Sequence, residues 1–68
     1  MHPHDVTTAC VEQLRAALAA NGITLPSLGV DLPTFASSYP TPPLVALGNC
    51  NAETARALTA ALRKAAGQ

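Results

Sequence analysis

The sequence predicts a small two-layer α+β domain, with two helices packed on a minimal antiparallel sheet. The order is helix, one or two short strands, a proline-rich crossing, a short strand and a second helix. Three observations carry this expectation. Two alanine-rich stretches, residues 5–21 and 52–65, repeat apolar residues at helical spacing. Between them Pro26, Pro33, Pro40, Pro42 and Pro43 exclude any long helix or central strand through those positions. After the last of them Leu44, Val45, Ala46 and Leu47 form an apolar run that stops at Gly48. Four residues are too few to repay helix nucleation and suit a short buried strand.

The first helix is expected from about Asp5, with Asp5, Thr7 or Thr8 as caps, to Asn21, with Gly22 as a left-handed exit. Val6, Cys10, Leu14, Ala17 and Leu18 make its apolar stripe, widened by Val11, while Glu12, Gln13 and Arg15 lie off the centre. Residues 1–4 are expected as a flexible leader ahead of a single domain, residues 5–68. In the middle, residues 23–25 are read as one short strand and residues 28–32 as a turn or second strand. A structureless loop of about twenty residues is unusual in a compact domain. A helical turn near residues 34–37 is therefore expected, with Leu25, Leu28, Val30, Leu32 and Phe35 tucked into the core.

The second helix carries the clearest punctuation. Asn51 stands where an N-cap accepts from first-turn amides, Glu53 suits the positive end of the dipole, and Arg63, Lys64 and Gly67 suit the exit. Ala55, Leu58, Leu62 and Ala65 recur at spacings of three, four and three and are expected to be buried. The alanines of both helices favour helix and allow close approach of the two to each other.

Composition narrows the function classes. A 68-residue chain buries only about 60% of the surface its unfolded form exposes, and this one has just two aromatics, Phe35 and Tyr39. Homodimerisation or a protein partner is therefore expected. Formal charge is zero, and Arg15, Arg56, Arg63 and Lys64 are too few and too scattered for a basic nucleic-acid face. No apolar run approaches the roughly 20 residues of a membrane span, and MHPHD has neither the basic nor the apolar part of a signal peptide, so the expected location is the cytoplasm.

Several residues could carry chemistry. Cys50 precedes the second helix, where a helix N-terminus favours a thiolate, and Cys10 is the partner it would need as a resolving or bridging thiol. His2 and His4 with those two thiols form a set that zinc accepts, but the spacing matches no compact zinc motif, so no metal or cofactor is expected. Tyr39, Pro40, Pro42 and Pro43 enclose a P-x-x-P, a candidate docking segment for an aromatic groove. The turn over residues 48–51 offers amides to an anion, without a phosphate-binding lysine. The segment LPSLGVD resembles the phosphopantetheine site of carrier proteins in setting a serine before a leucine. Pro26 replaces the acidic residue of that site and prolines exclude its next helix, so the reading is discarded.

No convergent nucleophile, base and metal emerge, and the leading expectation is a non-enzymatic interaction or regulatory module binding another protein or a second copy. The alternatives are a redox or zinc site at Cys50 and Cys10, and a small DNA-associated regulator.

Overall fold

Helix α1 spans Pro3–Ala20. A proline suits the first helical turn because its missing N–H would lack an intrahelical acceptor there and its fixed φ is already helical. The helix therefore starts two residues before Asp5 and takes in Pro3 and His4. The computed structural model describes residues 3–32 and 42–67, and among these the order is α1, β1 (Gly29–Val30), β2 (Val45–Ala46) and α2 (Ala52–Ala65). The helical turn expected at residues 34–37, and Phe35 with it, lie outside the described residues.

The C-terminus of α1 closes as the sequence implied and does more than stop the helix. Gly22 adopts φ 71°, its N–H donates to the Ala19 carbonyl at 2.9 Å, and the Ile23 N–H reaches back to the Leu18 carbonyl at 2.9 Å. This is a Schellman motif, and its customary apolar contact falls between the residues that flank it. Leu18 and Ile23 are both buried and belong to one core cluster with Val11, Leu25 and Leu28. The turn that follows is closed by the Leu28 N–H on the Leu25 carbonyl at 3.2 Å, with Pro26 at a corner that suits its fixed φ.

Two expectations change here. Residues 23–25 form no strand, because the Ile23 N–H is already committed to the end of α1; Ile23 and Leu25 serve instead as core, on either side of exposed Thr24. The buried line of α1 runs through Val11 and Leu18, seven residues or two turns apart, and not through Cys10, Leu14 and Ala17. The apolar arc of α1 is wider than the returning segment covers, and that segment lies to one side of it.

The sheet is a single antiparallel pair in which Gly29 faces Ala46 and Val30 faces Val45. It is prolonged by the Asp31 N–H on the Leu44 carbonyl at 2.8 Å. At its other end Gly48 has φ 78°, and a Cβ there would stand 2.5 Å from the Ser27 Cβ. Only glycine supplies both that backbone conformation and that closeness. The pairing expected between residues 44–47 and one of the earlier segments is thus made with β1.

Helix α2 is capped as read. Asn51 is extended, its Oδ1 accepts from the Thr54 N–H at 2.8 Å, and Gly67 (φ 82°) follows the last turn. Its burial differs from expectation. Leu58 and Ala61 pack against the core from α2, none of the helix is fully buried, and Leu62 is 62% exposed. The half-buried line is Thr54, Leu58 and Ala61, because the core it meets is small and reaches only the middle of the helix.

Candidate functional site

The two thiols sit in different kinds of place. Cys50 lies in the connection between Gly48 and the α2 N-cap, and Cys10 on α1; both are exposed and free. Cys10 was expected within the core stripe. It falls outside because burial follows Val11, one residue or about 100° further round the helix. Of the proposed metal ligands, His4 belongs to the first turn of α1 and His2 is outside the described residues. Among the described residues no three His, Cys, Asp or Glu gather as a metal would require.

The turn ahead of α2 is occupied by its own side chain. Asn51 Oδ1 takes the Thr54 amide, which an anion at the helix N-terminus would otherwise use. Of the P-x-x-P residues, Tyr39 and Pro40 lie outside the described residues, Pro42 is exposed and Pro43 half-buried. On α2, Arg56, Arg63 and Lys64 are exposed. Arg15 is engaged on α1, where its Nε faces Glu12 Oε2 at 3.4 Å and its Nη2 donates to the Leu28 carbonyl at 3.1 Å.

That last bond has a structural role the sequence reading missed. Arg15 spans from α1 to the residue that enters β1, joining helix to sheet through a part-buried carbonyl. The only advance signal was the three-residue Glu12–Arg15 spacing, which accounts for the ion pair and not for the carbonyl.

What the molecule presents most plainly is uncovered apolar surface. Val6 and Leu14 on α1, Leu32 after β1, Leu44, Val45 and Leu47 around β2, and Leu62 on α2 are all exposed, although Leu32 was expected in the core and residues 44–47 as a buried strand. No helix among the described residues is long and apolar enough to cross a membrane. The chain matches no protein-family model, no curated protein and no solved structure.

Proposed function

We propose that the chain is a non-enzymatic protein–protein interaction module. The observation that carries this reading is α2, a capped 14-residue amphipathic helix with no buried residue and with Leu62 in solvent. Helices in proteins draw most of their stability from packing an apolar face, and α2 receives little of that from its own chain. A protein surface laid over Leu62 and the exposed residues of β2 supplies it. The proposed setting is the reducing cytoplasm, which suits two free, exposed thiols.

The test compares wild type with Leu62→Glu by affinity capture from the native extract and by sedimentation velocity over a range of concentrations. The expected result is an association, with a partner or with itself, that the variant weakens while its helical circular dichroism stays unchanged. A chain that remains monomeric at every concentration and captures nothing overturns the proposal.

A further inference from the structure

Helix α2 carries three of the four cations of a formally neutral chain and one acid, Glu53. Two of the three lie on a line. Arg56 and Arg63 are seven residues apart, which puts them about 20° from each other round the helix and about 10 Å along it. Exposed Leu62 stands about 100° to one side of Arg63, and the surface between them is the small, uncovered pair Ala55 and Thr59. The Thr59 hydroxyl already donates to the Ala55 carbonyl at 2.9 Å. Lys64 falls about 100° to the other side of Arg63, off this strip. Among the described residues the side chains of Arg56, Arg63 and Lys64 have no ion-pair or hydrogen-bond partner, and the one ion pair there joins Arg15 to Glu12. Arg63 suits the negative end of the helix dipole; Arg56 lies in the first half of α2, where the dipole does not favour a cation.

We infer that this strip docks an acidic segment of another protein, with an apolar side chain over Leu62 and carboxylates on Arg56 and Arg63. The inference rests on the interaction reading above and names the chemistry of the partner. Charge selects the occupant. A two-fold contact through the same strip sets the arginines of one copy against those of the other, and facing like charges weaken an interface. No other side of a second copy supplies the carboxylates: of the acids whose side chains are described, Glu12 is paired with Arg15, Asp31 is engaged and Glu53 stands on α2 itself. A nucleic acid satisfies the arginines and leaves Leu62 in water, since a phosphate tract has no apolar group to cover it. One exposed leucine buries too little apolar area to hold a helix on a bilayer. A protein segment that bears both carboxylates and an apolar side chain answers both margins of the strip, and guanidinium groups bind carboxylates in two-pronged pairs.

The test is fluorescence anisotropy of the purified full chain with a labelled helical peptide that has leucine on one face and glutamate on the other, beside the same peptide with glutamine for glutamate. The glutamate peptide is expected to bind about tenfold more tightly and to lose that margin in high salt. Arg56→Glu and Arg63→Glu are each expected to weaken it by about tenfold. Lys64→Glu, the same change of charge off the strip, is expected to weaken it by less than about threefold. All three positions are exposed, so the helical circular dichroism should be retained. No binding, equal binding of the two peptides, or a Lys64→Glu loss as large as that of Arg63→Glu overturns the inference. So does tighter binding to duplex DNA or to phosphatidylserine vesicles than to the glutamate peptide. If capture from the native extract depends on Leu62 but is unchanged when Arg56 and Arg63 are both glutamate, the acidic partner is wrong and the interaction reading survives; if the chain stays monomeric and captures nothing, both fail.

Discussion

Residues 11–28 and residues 44–65 solve the same problem in opposite ways. The first stretch holds every buried apolar side chain among the described residues: Val11, Leu18, Ile23, Leu25 and Leu28. The second holds none, although its helix is capped by the Asn51 side chain and ends in basic residues. In the first, chain reversal and core formation are one event, since the Schellman turn that ends α1 also delivers Ile23 beneath Leu18. In the second, the Asn51 cap, the Glu53 charge at the N-terminus and the basic last turn define a helix with little underneath it. Local devices fix where a helix begins and ends. They do not supply the burial that keeps it in place, and that difference is why the uncovered half is read as the binding half.

The contrast is most readily broken in the buried stretch. Ile23→Ala removes a side chain only 3% exposed and is expected to cost about 2 to 4 kcal/mol, enough to leave so small a domain largely unfolded in a urea titration. Gly48→Ala comes next, at about 1 to 3 kcal/mol, because the added methyl meets Ser27 and the backbone is left-handed. Gly22→Ala is its control. It shares the positive φ but meets no atom within 4 Å, so it should cost less than Gly48→Ala in the same titration.

Asn51→Ala sharpens the comparison from the other side. Losing the bond to the Thr54 amide is expected to cost about 1 kcal/mol and to appear as faster hydrogen exchange confined to α2. The smallest effect is expected from Leu62→Ala, within about 0.5 kcal/mol of wild type for the chain alone, since an exposed side chain leaves no cavity. A loss of several kcal/mol there in dilute solution would mean that the half described as uncovered is covered after all.

The sequence by itself determined the features that rest on contacts a few residues long. These are the left-handed exit at Gly22 and the Asn51 cap, both set by hydrogen bonds or steric limits within about one turn that the residue types themselves show. The strand within residues 44–47 was legible from its apolar run between Pro43 and Gly48, while its pairing with β1 joins distant parts of the chain. Tertiary structure alone decided which of the remaining apolar residues are covered: Val11 and not Cys10, Ala61 and not Leu62, and Ile23 as core and not as strand, whereas Leu25 and Leu58 pack where the sequence implied. It also decided that Gly48 lies against Ser27 and that Arg15 reaches the Leu28 carbonyl. An alanine-rich helix carries an apolar arc wider than a two-stranded sheet and one turn can shield. Its periodicity gives the arc, and only the direction from which the rest of the chain arrives selects the line within it that is buried.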